Sequence, residues 1–584
     1  MPVASRKAVV HANNAEVSQR LGELADLLEL QLANPFRVRA YRNAARLVEE
    51  LPRPVLALPE EGSNSLEELP GIGTDLAGKI RRIASTGSLP LLTQLRRKVP
   101  KGMSELIRLR GVGPRRARML RKQLGIRSLA GLERALRARR VQKLRGFGEK
   151  TEAKLLHELG FHQAGAQRML RATALQYAEP LAAFLRQGSG IEKVEIAGSY
   201  RRRAETVGDV DILATSRVKT LAVQRFLAFP EVTEVLSQGQ GAASVRLRSG
   251  LQVDLRVLDP ESFGAGLYYF TGSKTHNIAA RRVAQRRGLK LNEYGVFRHH
   301  RRIAGKSEVG VARAVGLRWI PPELRENRGE IEAARAGRLP RLVELDDIRG
   351  DLQCHTTASD GRNTLQAMVE AAEALGYEYL AITDHSPAVR ITGGLDRAGF
   401  RRQGRVIDRL NARSRLTILK GAEVDILRDG SLDLDDETLA GLDLVIVSVH
   451  SHFELSAREQ TRRLIRALRH PAVQILAHPT GRMIGARAPI RADLDELWRV
   501  AAAEGVLLEV NAQPTRLDLD DVTARTAVTR GAKLVINTDA HSTAELGFMR
   551  WGVDQARRAW ATASDIANTR SLSGFLKLLR QRRS

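Results

Sequence analysis

The spacing of apolar residues changes character twice along this chain of 584 residues. From residue 15 to about 165 they recur at helical intervals. EVSQRLGELADLLEL carries its leucines on one stripe, which predicts an amphipathic helix that stops before Asn34-Pro35. Three segments repeat a glycine turn followed by a helix: LPGIGTDLAGKIRRI at 69–83, LRGVGPRRARML at 109–120 and LRGFGEKTEAKLL at 144–156. From about residue 190 the period falls to two. KVEIAG, GDVDILA and LQVDLRVL alternate apolar with polar, as half-buried strands do. Residues 321–348 read as a connector. Beyond 349, short apolar runs (LAIT, LTILKGAEVDI, LVIVSV, AVQILAH, VLLEVN, KLVINTDAH) alternate with helical segments. That pattern predicts a barrel-like or layered parallel sheet, with ligands at the carboxyl ends of its strands.

The glycine units carry the first candidate chemistry. Glycines at 71 and 73, 111 and 113, and 146 and 148 permit a tight turn and close backbone approach. The helix that follows offers free N–H groups and the positive end of its dipole, a site for a phosphodiester that reads no base. Gly71, Gly73, Gly111 and Gly113 are therefore expected to contact DNA, while the third unit is either a further grip or a packing turn. Charge sharpens this picture. Lys and Arg number 94 against 66 Asp and Glu, a net +28, which favours a polyanionic partner over a cationic or neutral one. A generally basic surface is the competing explanation. Cys354 is the one cysteine, which excludes an intrachain disulfide and fits a reducing cytoplasm. The N-terminus has no apolar signal core and no run of 18 apolar residues occurs, so a cytoplasmic, nucleoid-associated protein without a membrane partner is expected.

In VGDVDIL, Asp209 and Asp211 are two apart, so on a strand both point to one face. In LQVDLRV the apolar residues take one face and leave Asp254 and Arg256 on the other. Carboxylates gathered this way repel unless cations neutralise them, and two Mg²⁺ or Mn²⁺ ions about 4 Å apart would also clamp the oxygens of a phosphoryl transfer. Upstream, GSYRRR (198–203) supplies a turn and arginines suited to a triphosphate. In the last third, His385, Glu423, His450, His478, Asp539 and His541 each lie at or just beyond the end of an apolar run. With His355 and Asp360 they make a multi-metal site the best account, and their imidazole–carboxylate mixture suits Zn²⁺, Mn²⁺ or Fe²⁺.

The ordered set GSYRR, GDVDIL, VDLR, YFTGSKTHN (269–277) and LNEYGVF (291–297) resembles the family X DNA polymerases, of the DNA polymerase beta kind, over roughly residues 15–320. The resemblance implies a nucleotidyltransferase in which Asp209 and Asp211 hold both metals and Asp254 activates the primer 3′-hydroxyl. It implies that Gly198, Ser199 and Arg202 bind the incoming triphosphate. Tyr269, Phe270 and Gly272 would wall the sugar, Asn277 would reach the base, and Arg281 the template. NPFRVRAYRNAA resembles the lyase domain of that family, placing Arg37, Tyr41 and Arg42 at a 5′-phosphate and Lys79 at the Schiff-base position. Asp75 stands where DNA polymerase beta has lysine, and an acid there opposes both phosphate binding and amine reactivity.

Residues 345–575 resemble the PHP domain, whose fold is a distorted seven-stranded βα barrel with a trinuclear centre of nine ligands. Eight match, namely His355, Asp360, His385, Glu423, His450, His478, Asp539 and His541, with Glu423 as a bridge. The ninth position is Gln353, a neutral amide where histidine is usual, expected to ligate weakly. Arg482 is a candidate for the substrate phosphate, with a plain surface arginine as the alternative.

The expected class is multidomain α+β and α/β. Its divisions are a lyase-like helical domain with the first helix-hairpin-helix (1–88), helical DNA-binding fingers (89–168), a palm (169–258), a thumb (259–320), a linker (321–348) and a PHP phosphoesterase barrel (349–584). The expected activity is gap-filling polymerisation in base-excision or end-joining repair, with Mn²⁺-dependent 3′–5′ exonuclease, 3′-phosphatase or abasic-site cleavage at the barrel. The expected partners are gapped or nicked DNA with a 5′-phosphate and dNTPs, bound by a monomer. The alternatives are a polymerase whose barrel is structural, and a non-catalytic scaffold for DNA ends.

Overall fold

The computed structural model describes residues 12–583 except 13, 32, 52–54, 60–64, 70, 100–101, 110–111, 145, 150, 153–154, 157–158, 160–167 and 390–391. The chain divides into two compact units. One comprises Met1–Val194, Gly208–Val257 and Gly485–Ala488; the other comprises Glu195–Val207, Leu258–Ile484 and Pro489–Ser584.

The first unit opens with helices α1 (Asn14–Leu30), α2 (Pro35–Glu50), α3 (Thr74–Thr86) and α4 (Pro90–Lys98). They close on Leu21, Leu24, Leu28, Val48, Ile80 and Ile83. As predicted, α1 stops before Asn34-Pro35, and α2 starts there: Asn34 accepts the Phe36 N–H at 2.9 Å and Pro35 takes the first helical position. Helices α5 (Met103–Arg108), α6 (Pro114–Leu124) and α7 (Leu129–Arg137) bury Leu106, Val112, Leu120 and Leu132 with Phe147. Strands β1 (Ile191–Ile196), β2 (Asp209–Ser216), β3 (Val232–Gln238), β4 (Ala242–Leu247) and β5 (Gln252–Leu258) form a sheet in the order β1-β2-β5-β4-β3. Within it Val245 pairs with Val235 on one side and Val253 on the other.

In the second unit, helices Phe263–Thr271, Lys274–Gln285 and Glu308–Ala314 enclose Tyr268, Ala280 and Val311. Residues 321–348 are packed: Leu324, Ile331 and Leu342 join this core, while Val343 and Ile348 join that of the barrel. Glu308 is a buried hub here. It pairs both Nη groups of Arg201 at 2.8 and 2.7 Å, the fully buried Arg325 at 2.8 Å and the Trp319 indole at 3.3 Å. Burial alone would raise its pKa, yet the arginines win and hold it at about 2. A carboxyl so depressed contributes stability that is complete above its unfolded pKa and is lost as pH falls toward 2. Glu308→Gln strands Arg325, so we expect a loss on the order of 3 kcal/mol in urea unfolding at pH 7, shrinking below pH 4.

Seven parallel strands follow: β6 (Gly350–Cys354), β7 (Tyr379–Ile382), β8 (Thr417–Asp425), β9 (Leu444–Ser448), β10 (Ile475–Leu476), β11 (Leu507–Asn511) and β12 (Leu534–Asn537), paired in chain order. The last returns to the first through a parallel bridge between Cys354 and Ala540, with the His355 N–H on the Ala540 carbonyl at 2.8 Å. The sheet is thus a nearly closed barrel. Strand residues are almost all buried because both faces are covered. Leu352, Ala381, Leu419, Ile446, Ile475 and Val535 share one core with Phe575 and Leu579 of the C-terminal helix Leu572–Arg583. Among the described residues, no helix is long and apolar enough to cross a membrane.

Candidate functional site

All eight barrel ligands expected from sequence converge at the carboxyl ends of the strands. Seven of them fall into three clusters whose donor atoms lie within 4.8 Å of one another: His355, Asp360, His385 and His541; His385, Glu423 and His450; and His355, Glu423 and Asp539; the eighth, His478, meets Glu423 at 3.0 Å. Sharing of His355, His385 and Glu423 makes these one centre with three subsites. Glu423 is enclosed by histidines, with Nε2 of His478 at 3.0 Å, His355 at 3.3 Å and His450 at 3.4 Å, and Nδ1 of His385 at 3.5 Å. Burial would protonate this carboxyl, but the histidines, His385 foremost, hold its pKa well below the usual carboxylate range. Burial drives His385 down to about 4, so at neutral pH it is an uncharged donor.

The fit to divalent cations rests on unsatisfied buried atoms. Nδ1 of His355, His385 and His478, Oε2 of Glu423 and Oε1 of Gln353 are buried without a hydrogen-bond partner. Such groups are costly unless a cation takes their lone pairs. Two ligands also sit in the left-handed backbone region, His478 at φ +28° and Asp539 at φ +53°. Strained conformations of this kind persist at sites where the surroundings over-determine them.

A second layer, which sequence reading missed, aims these ligands. Asp384 accepts the Thr356 N–H at 2.8 Å and the hydroxyls of Thr356 and Ser359 at 2.6 and 2.5 Å, fixing the loop that carries Asp360. Glu509 takes the His478 N–H at 2.7 Å, and Asn511 donates to both Glu509 and Asp539 at 3.0 Å. Glu545 takes the His541 N–H at 2.7 Å and Arg362 at 3.0 Å. Their signal was a polar residue inside an otherwise apolar buried strand, as in LLEVN, or beside a ligand, as in TDHS. Arg482 is buried rather than a plain surface arginine, its guanidinium held by Glu205 at 2.6 Å and the Leu517 carbonyl at 2.5 Å.

Gln353 is fully buried and its amide nitrogen points to Asp539 at 3.4 Å. An imidazole there would add a stronger donor to the subsite of Asp539. We expect Gln353→His to tighten the weakest-held ion on the order of tenfold. Bound metal per chain and 3′-end hydrolysis at limiting Mn²⁺ read this out, and no change in either would show that position 353 does not tune the centre.

The three aspartates lie in the first unit. On β2, Val210 and Ile212 are buried while Asp209 is exposed and Asp211 half-buried. On the neighbouring β5, Val253 and Leu255 are buried while Asp254 is half-buried and Arg256 exposed. Asp254 has a raised pKa, first through burial and then through the charge of Asp209, and Gln252 donates to both its oxygens at 3.3 Å. An all-oxygen carboxylate set suits Mg²⁺ or Mn²⁺.

The nucleotide residues lie in the second unit. Gly198, at φ +62°, begins a short helix through Arg201. Arg202 donates to the Thr271 carbonyl at 2.6 Å, and a Cβ on Gly272 would stand 3.2 Å from its Nη1. Ser199 and Arg202 are thereby joined to the helix end that carries Tyr269 and Phe270. Asn277 donates to the Tyr269 carbonyl at 2.6 Å, and Arg281 to the Asn277 carbonyl at 3.3 Å.

In the first glycine turn Gly71 sits at φ +79° and Gly73 precedes α3; in the second, Gly113 precedes α6 and Gly111 lies outside the described residues. The helix starts differ in charge. Asp75 occupies the first turn of α3, whereas α6 starts Pro114-Arg115-Arg116. Arg37 is exposed, Tyr41 is buried, and Arg42 pairs with Glu29 and, at 3.3 Å, Asp26. Lys79 Nζ lies 2.5 Å from Asp75. Partial burial lowers the Lys79 pKa, but bonds to Asp75 and Tyr41 outweigh it and the net shift is upward.

Family models match five stretches of the chain. They are a helix-hairpin-helix domain at 12–89, a helix-hairpin-helix tandem at 103–160, the DNA polymerase beta palm at 169–262, the DNA polymerase beta thumb at 266–326 and the PHP domain at 351–513. The chain is 38% identical over 573 residues to a Bacillus subtilis protein named DNA polymerase/3′-5′ exonuclease PolX, covering 96% of this chain and 99% of that one. A protein of Acetivibrio thermocellus named as a probable phosphatase is 32% identical over 206 residues, 34% of this chain and 81% of its own. Another of that name in Thermoanaerobacter is 27% identical over 230 residues, 38% of this chain and 89% of its own. With the palm, the thumb, the helical hairpins and the PHP barrel all present, the chain belongs to the bacterial family X DNA polymerases that carry a C-terminal PHP domain.

Proposed function

We propose that this protein fills short gaps in DNA by two-metal nucleotidyl transfer and trims 3′ ends at its barrel. The observation that carries the polymerase half is the carboxylate face of β2 and β5. Asp209 and Asp211 would hold two Mg²⁺ or Mn²⁺ ions, which supply charge neutralisation at the transferred phosphoryl group. Asp254 is half-buried with a raised pKa, suited to accept the proton of a primer 3′-hydroxyl. Gly198, Ser199 and Arg202 bind the triphosphate; Tyr269, Phe270 and Gly272 wall the sugar; Asn277, Arg281 and Arg256 meet base and DNA. Gly71, Gly73, Gly111, Gly113 and Arg37 grip phosphodiesters without reading sequence.

At the barrel, Mn²⁺ with Zn²⁺ or Fe²⁺ as alternatives would occupy two or three subsites and supply water activation for ester hydrolysis. The chemistry is 3′–5′ exonucleolytic, with 3′-phosphate removal and abasic-site cleavage as related hydrolyses. In repair, such trimming prepares an end that the polymerase then extends. The substrate is gapped or nicked DNA with a 5′-phosphate, together with dNTPs, bound by a monomer. The test is a one-nucleotide gap with a labelled 3′ end, followed with and without dNTPs in Mg²⁺ and in Mn²⁺. Extension should require dNTPs, and shortening should occur without them. A chain that does neither would be a scaffold for DNA ends.

Lys79 serves DNA contact rather than Schiff-base chemistry, because Asp75 keeps its amine charged. Asp75→Ala removes that restraint. Borohydride trapping on a 5′-deoxyribose phosphate end should be slight in the wild type and rise several-fold in the variant, roughly tenfold for each unit by which the amine pKa falls. Strong trapping by the wild type would instead establish a working lyase.

A further inference from the structure

Residues 198–205, GSYRRRAE, carry the proposed triphosphate ligands, and they are gripped by residues of the barrel and of the segment leading into it. Helix Met549–Arg558 packs on β11 and β12 and spaces Asp554, Arg557 and Arg558 on one face. Asp554 pairs with Arg203, and the buried Glu323 accepts from Arg203 at 3.0 Å and Arg557 at 2.9 Å. Arg203 itself lies at φ +57°, a conformation that these two carboxylates hold from outside the loop. At the far end of the loop, Glu205 takes Arg482, four residues beyond the ligand His478.

The decisive contacts are those of Arg558, which is 7% exposed. One Nη donates to the Arg202 carbonyl at 2.7 Å and to Glu326 at 3.0 Å; the other meets Asp521 at 2.7 Å. Arg202 Nε touches the same oxygen of Glu326, at 3.0 Å. Glu326 is therefore shared between an arginine that must reach a triphosphate and an arginine that stays with the barrel. A carboxylate of this burial resists losing its only cation. With Arg558 in place, Arg202 can leave Glu326 without stranding it.

We infer that Arg558 is a positioning residue for nucleotide binding: by retaining Glu326 it releases Arg202 to the triphosphate, so a helix of the PHP barrel sets the affinity for dNTP. This rests on the reading of Arg202 as a triphosphate ligand. Without Arg558, Glu326 has Arg202 as its remaining arginine and sequesters it.

The test is steady-state single-nucleotide extension on gapped DNA by the full chain. Arg202→Ala should raise KM for dNTP. Arg558→Ala should raise it about tenfold with kcat within about twofold, since binding rather than chemistry is affected. Arg558→Lys should recover part of the loss. The double change Arg558→Ala with Glu326→Gln should bring KM back to within about twofold of wild type, because nothing then holds Arg202. A merely structural role for Arg558 predicts that the double variant is as impaired as the single one, or worse, and that result overturns the inference. A rise in Arg202→Ala with none in Arg558→Ala overturns it also. No rise in Arg202→Ala removes the triphosphate reading and the inference with it. Should Arg558→Ala melt below the assay temperature, Arg558→Met, which keeps the apolar stem without the charge, takes its place in the same cycle, with the same outcomes.

Discussion

Asp209→Ala eliminates primer extension on a one-nucleotide gap while Mn²⁺-dependent shortening of the 3′ end continues. Asp209 is the exposed member of the β2 pair, so its removal leaves no void in the core formed by Val210 and Ile212. It is also the charge that helps to raise the pKa of Asp254, so its loss lowers that pKa and takes away a metal donor together. We expect extension to fall on the order of 10³-fold or more, about 4 kcal/mol of transition-state stabilisation. Thermal stability should stay within about 0.5 kcal/mol, as for a surface change away from packed features. Extension that survives the substitution would refute the assignment of β2 and β5 as the polymerase centre. Shortening that vanishes together with extension would mean that the 3′ nucleotide leaves by reversal of polymerisation, and that the barrel is idle.

The sequence was most informative where chemistry and periodicity coincide. A carboxylate pair two apart on an alternating strand declares its face, and Val210 and Ile212 are indeed buried while Asp209 is exposed and Asp211 half-buried. The candidate barrel ligands other than Asp360 stood out because each lies at or just beyond the end of an apolar run, and strand ends in a parallel barrel share one rim. What could not be read is what depends on distant pairing. Arg482 and Glu205 meet across 277 positions, and no local pattern marks either. Arg42 reads as a phosphate grip until Glu29 and Asp26 are seen to hold it. Glycine identity alone did not separate Gly71, which needs a left-handed backbone, from Gly73 and Gly113, where a Cβ would meet nothing within 4 Å. The stretch 321–348 was read only as a connector, yet Glu323, Arg325 and Glu330 are buried with their charges answered.

Asp539→Ala has the opposite phenotype, with 3′-end removal lost and gap filling retained. Asp539 is buried at the rim and joins the subsite of His355 and Glu423. Burial alone would raise its pKa, but the bond from His355 at 3.1 Å and the charge of His541 hold it well below the usual range, so it is a carboxylate donor at any working pH. Alanine removes that donor and leaves Asn511 and Gln353 aimed at a void. Because Glu423 belongs to two of the candidate clusters, losing one ion would weaken the hold on its neighbour. We expect hydrolysis to drop on the order of 10³-fold and metal content to fall by about one ion per chain. Asp539→Asn keeps the shape with a neutral donor and should fall between the two. Ligands must be deprotonated to bind metal, so protons compete with the ions. Lowering pH from 7 toward 5 should therefore abolish hydrolysis sooner in Asp539→Asn than in the wild type. Full hydrolysis by Asp539→Ala, with metal content unchanged, would place the nuclease elsewhere in the chain. Loss of gap filling in parallel, with the fold intact by near-ultraviolet circular dichroism, would instead mean that the centre supports the polymerase structurally.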